Sequence, residues 1–303
     1  MSGESPTANP TAETDEETES SVLAALARIE VDGDRAALWA GICALAMTAV
    51  GFAVTIAHNA PFDPLAVPAV VLDAFAVGTP LVLGATLFAV ALTETEPTRR
   101  VGLLFAGVFG PLATLSSAAT LPAVAGVIGG GALALTGSLD RPTTYREGRH
   151  AAVVVGFVAA VALSLSAATG LLGTGMTVGA GLALVATGAI ALLVEIDRLA
   201  ALTGLTTAAG LVAVAVTVPY LTGTVLLVGF GVVAVPHLLV AFALGGGEAA
   251  AVAGLRRGTP LLTVGALLVV LAGVPATLPR AMGVLLGVAL VTRATAEQTG
   301  VTA

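Results

Sequence analysis

A chain of 303 residues that is 57% hydrophobic and only 10% charged cannot cover a soluble surface, because a soluble domain charges about a quarter of its residues. Its basic residues are all arginine; the lack of lysine excludes P-loop nucleotide hydrolysis and any retinal or pyridoxal Schiff base. A net charge of −7 offers nucleic acid no basic surface, and the single cysteine, Cys43, can form neither an internal disulfide nor, alone, a metal cluster.

Residues 1–20 carry Glu4, Glu13, Asp15, Glu16, Glu17 and Glu19 and read as a solvated, disordered acidic tail. In residues 21–35, Val22, Leu26 and Ile29 share one helical face while Arg28, Glu30 and Asp32 fall elsewhere, which predicts an amphipathic helix lying in the membrane interface. Residues 36–293 alternate long apolar runs with short charged clusters, the pattern of a polytopic transmembrane domain. Residues 294–303 form a C-terminal tail.

The first span is expected over 36–58, with Trp39 as an interface anchor. The second covers 67–92 and contains Pro80, where a kink is expected. Residues 101–138 carry no charge, too long for one crossing and enough for two, with the turn at 116–122. Further hairpins are expected over 149–194, over 199–244 around Pro219 and Tyr220, and over 259–292, with residues 245–258 as a loop. The fold class is therefore an all-α integral membrane protein of about ten transmembrane helices arranged as tandem helical hairpins. The last pair is short, so eight spans with a re-entrant stretch is the alternative.

An ungapped offset of 49 residues relates 100–148 to 149–197. It places Arg100 on Arg149, Ser117-Ala118-Ala119-Thr120 on Ser166-Ala167-Ala168-Thr169, and Gly126 and Gly130 on Gly175 and Gly179. Two repeated hairpins follow as an expectation, with these glycines as small-xxx-small packing pairs.

With a cytoplasmic N-terminus, every arginine except Arg280 falls on the inner side of this scheme. Such a bias sets orientation, so both termini are expected in the cytoplasm, in the cell membrane.

Three polar residues stand as a candidate intramembrane site. Asp73 lies six positions past Val67, ~9 Å along the helix axis, and an ionisable group at that depth is a functional hypothesis by default; an outer-interface position is the plain reading of equal weight. His237 suits a second proton relay or a hydrogen bond to a neighbouring helix. Arg280 suits an anion or a pair with Asp63 or Asp73, against a plain snorkelling role. Neither His-Glu-x-x-His nor Gly-x-Ser-x-Gly occurs, so no enzyme, cofactor or metal is expected.

In its acidic tail, its arginine-only basic set and its richness in Ala, Val, Gly and Thr, the chain resembles the uncharacterised multi-pass membrane proteins of halophilic archaea. The ten spans with both ends inside also resemble the drug/metabolite transporter superfamily in topology. The leading expectation is a structural or accessory membrane subunit, embedded in the lipid bilayer and meeting membrane-protein partners through helix faces and the 139–150 loop. A secondary transporter, proton-coupled through Asp73, is the alternative.

Overall fold

The computed structural model describes residues 33–59, 68–137, 144–173, 175–219 and 237–298. The acidic tail, most of the 21–35 segment, residues 139–143 of the 139–150 loop and residues 221–236 of the expected eighth span lie outside the described residues. Those described are helical, with no strand among them.

The helices are α1 (Gly33–Asn59), α2 (Ala69–Thr93), α3 (Pro97–Phe109), the single turn α4 (Leu112–Leu115), α5 (Thr120–Thr136), α6 (Tyr145–Ala168), α7 (Met176–Ala189), α8 (Arg198–Thr217), α9 (His237–Arg256), α10 (Pro260–Ala272) and α11 (Leu278–Gln298). Short 3-10 turns at Ser117–Ala119 and Ile190–Leu193 extend α5 and α7. Among the described residues eight helices are long and apolar enough to cross a membrane. The 13-residue helices α3 and α10 reach ~20 Å each, short of a ~30 Å hydrocarbon core.

The helix ends follow local chemistry. Pro97 and Pro260 open α3 and α10, where a missing N–H costs nothing. Thr144 and Glu147 form a capping box at α6, each backbone N–H donating to the other's side chain at 3.2 Å. The Ala200 amide donates to the Asp197 carboxylate at 3.1 Å at the start of α8. Gly258 and Gly273, at φ +67° and +64°, bracket α10 in a conformation that a side chain would strain.

The core centres on α11, whose residues Ala281 to Ala294 are almost all buried, packed against α1, α2, α5, α6 and α10. A second hub is α9, which packs against α7, α8 and α10. By contrast α8 stands at the margin, burying only Ala200 and Gly204.

Two expectations need correction. Residues 245–256 are not a loop: α9 runs unbroken from His237 through Gly245-Gly246-Gly247 to Arg256, while residues 221–236 of the expected eighth span lie outside the described residues. Those three glycines read as a breaker in sequence, but they bring backbones together, as small residues do between helices in lipid. A Cβ on Gly245 would stand 2.5 Å from the carbonyl oxygen of Gly204 on α8. One on Gly246 would run into the Gly188 backbone behind α7's last turn, and one on Gly247 into the Val270 side chain of α10.

The second correction concerns the 49-residue offset. Gly126 lies inside α5 against Phe109, whereas Gly175 precedes α7 with φ +149°. Gly130 meets Gly102, 28 residues earlier, while its counterpart Gly179 meets Ser164, only 15 residues earlier. Both segments contain hairpins, but these glycines do not share a register. The α3 helix breaks at Gly110 and Pro111, and α6 does not break at all over its 24 residues.

Candidate functional site

The ends of four helices meet in a charge cluster. Asp34 opens α1, Glu94 follows α2, Arg99 lies in the first turn of α3, and Arg293 lies near the end of α11. Arg293 donates to the Asp34 carboxylate at 2.6 Å and to the Thr93 hydroxyl at 2.8 Å, and its Nη1 stands 3.5 Å from Glu94 Oε1. The same oxygen lies 3.4 Å from Arg99 Nε. Arg99 also donates to the Thr292 hydroxyl at 3.0 Å and to the Ala289 carbonyl. The Glu94, Arg99 and Arg293 side chains are 8, 11 and 14% exposed, and Asp34 is half in solvent at 53%.

Local sequence makes the cluster. The segment Glu94-Thr95-Glu96-Pro97-Thr98-Arg99 reverses the chain between α2 and α3, so a carboxylate at one helix end faces a guanidinium in the first turn of the next. Guanidinium stays charged and carries donors only. The arrangement therefore fastens helix ends through charge-assisted bonds and does not relay protons.

A second, more exposed set lies where α8 begins and α9 ends. Arg256 pairs with Asp197 at 3.0 Å and Arg257 with Glu195 at 3.6 Å. These contacts place the start of α8 beside the end of α9, so the two helices run antiparallel. Glu195 and Asp197 thus pair with arginines, and Asp197 also caps α8. Among the described residues no group of three or more His, Cys, Asp or Glu side chains is placed to hold a metal.

Asp73, His237 and Arg280 lie at the opposite ends of their helices from these clusters. Asp73 is exposed in the second turn of α2, and His237 is exposed and the first described residue of α9. Neither makes a hydrogen bond or ion pair with another described residue. Arg280 is half-buried in the first turn of α11. Two apolar hollows lie along the bundle. One of about 670 Å³ lies between α8 and α9, lined among others by Leu205, Val212, Val216 and Phe242. Another of about 410 Å³ lies between α3 and α5, beside Phe105, Phe109, Gly126 and Gly130.

Residues 37–292 match the model of an integral membrane family. The chain belongs to the integral membrane family of unknown function DUF8068. No curated protein and no solved structure matches it. The DUF8068 match runs from the second turn of α1 to Thr292, the hydroxyl that Arg99 engages, so it takes in Glu94 and Arg99 of the charge cluster and both helix hubs described above, while Asp34 and Arg293 flank it.

One carboxylate escaped the sequence reading. Glu248 is the twelfth of the 20 residues of α9, eight residues or ~12 Å from Arg256 along the axis. It is half-buried. Glu248 thus stands, like Asp73, within a long apolar helix. The signal available in sequence was the Ala-Ala-Ala-Val-Ala-Gly-Leu run after Glu248, which contains no turn residue apart from Gly254.

Proposed function

We propose that this DUF8068 member is a structural or accessory subunit of the cell membrane with no catalysis of its own, its termini in the cytoplasm, meeting membrane-protein partners through helix faces and the 139–150 loop. The observation that carries this reading is the division of polarity in the bundle. The strong ion pairs fasten helix ends, and the two hollows are apolar grooves, unlike the convergent polar groups of a solute site. The acidic, lysine-free composition supports a source among the halophilic archaea.

The alternative is a secondary transporter, supported by the buried Pro80 within α2 and the break at Gly110-Pro111 after α3, since interrupted helices line transport sites. In that reading Asp73 carries the proton, with His237 as relay and Arg280 as partner to an anion or to Asp73. Purification from native membranes in mild detergent, with identification of stoichiometric companions, tests the first reading. A protein that purifies alone and drives proton-coupled uptake in proteoliposomes, abolished by Asp73→Asn, would replace it with the second.

A further inference from the structure

Glu248 holds a position that the rest of the chain leaves unanswered. Its helix is engaged on three sides. Gly245 and Ala249 meet Gly204 of α8, Gly246 meets Gly188, and Gly247 and Gly254 meet Val270 and Thr263 of α10. The Thr263 hydroxyl also donates to the Ala251 carbonyl at 3.2 Å. Glu248 falls in the row left over, with Leu244, Val252 and Leu255. Leu255, seven residues on and on the same face, is 72% exposed, so the row opens toward its Arg256 end, while Leu244 and Val252 at its edges are half-buried against the bundle.

A carboxylate at ~12 Å from the helix end is too deep to snorkel, since a glutamate side chain spans only a few ångströms, and leaving it without a partner in hydrocarbon costs several kcal/mol. Among the described residues no ion pair supplies it with a counter-charge. No arginine lies between Arg198 and Arg256. Arg256, Arg257 and Arg293 are committed to Asp197, Glu195 and Asp34, while Arg28 and Arg141 lie outside the described residues. Glu248 itself makes no hydrogen bond or ion pair with a described residue.

We propose that the α9 face bearing Glu248 docks a transmembrane helix of another protein, which brings a basic side chain to the depth of that carboxylate. Leu244, Val252 and Leu255 supply the apolar contact around the pair, and the acid sets depth and register, as a single buried polar group does between helices. This deepens the accessory-subunit reading and rests on it; the test uses a defined peptide, so its failure would remove this face and leave the co-purification experiment standing.

The protein, carrying a donor fluorophore at Cys43, is reconstituted in vesicles with acceptor-labelled single-span leucine–alanine peptides. One peptide has a lysine about 12 Å from the headgroup boundary, one has leucine there, and one has the lysine moved to its end. The matched lysine peptide should associate about tenfold more tightly than the other two, as an interhelical polar pair allows. Glu248→Gln should erase most of that advantage and Asp73→Asn should leave it intact. The charge-exchanged pair, Glu248→Lys with an aspartate peptide, should restore it. Equal transfer to all three peptides, or an advantage that survives Glu248→Gln, would overturn the proposal.

Discussion

Gly204 of α8 and Gly245 of α9 face each other backbone to backbone, each lying where the other's carbonyl oxygen would block a side chain. This reciprocal contact holds α8, otherwise the least buried of the long helices, to the rest of the bundle. Gly245→Leu should therefore destabilise the protein by about 1–3 kcal/mol through overpacking against backbone that cannot yield. A thermal scan in detergent should show a lower midpoint for it than for Gly210→Ala, on the same α8 helix, where a Cβ meets nothing within 4 Å.

The two sets of ion pairs should differ in strength by their burial. Arg293→Ala leaves Glu94, 8% exposed, without one of its two arginines and should cost about 3 kcal/mol. Arg256→Ala removes a pair in which both side chains are more than a third exposed, worth under about 1 kcal/mol. Parallel denaturation of the two variants decides the ranking, and equal losses would show that the Asp34–Arg293–Glu94–Arg99 cluster is no lock.

Hairpin register is open to a cross-linking test. A Cβ at Gly156 would lie 3.6 Å from that of Ala186, within the ~3.5–4.5 Å that a disulfide spans. Gly156→Cys with Ala186→Cys, on a Cys43→Ala background, should oxidise readily. The counterparts under the 49-residue offset, Gly107→Cys with Gly137→Cys, should not, because Gly107 faces Gly84 and Leu87 of α2 while Gly137 faces Thr98.

Much of the architecture was legible in sequence because charge and apolar runs alternate so sharply. The spans read at 36–58 and 67–92 stand as Gly33–Asn59 and Ala69–Thr93. The reversal expected at 116–122 falls at 110–119, brought forward by Gly110 and Pro111. The last hairpin, read as the least secure pair, contains the most buried helix of the bundle, α11. What was not legible depends on partners distant in sequence. Gly245 to Gly247 look like a loop until Gly204, Gly188 and Val270 are seen against them, and the identity of Gly175 with Gly126 says nothing about which helix each will face. The Asp34–Arg293 pair joins residues 259 positions apart, a separation that no local pattern announces.

The arginine bias of the sequence sets the proposed sidedness. Cysteines placed singly at Thr95 and Arg257 on the Cys43→Ala background should react with an impermeant thiol reagent only from the cytoplasmic side. Cysteines at Leu172 and Thr277 should react only from the opposite side. All four positions are exposed. Labelling of Arg257→Cys from outside intact cells would reverse the orientation.

The account turns on α9 being a membrane-embedded helix through Arg256, with three other helices meeting at its glycines and a carboxylate on its open face. Nitroxide labels placed singly at Glu248, Val252, Leu255 and Gly258, on the Cys43→Ala background in lipid vesicles, measure this directly by collision with oxygen and with a water-soluble nickel chelate. Oxygen should dominate at Glu248 and Val252, and nickel should take over at Gly258, with Leu255 between them. Nickel collisions of equal frequency at all four positions, as in a hydrated loop, would contradict it.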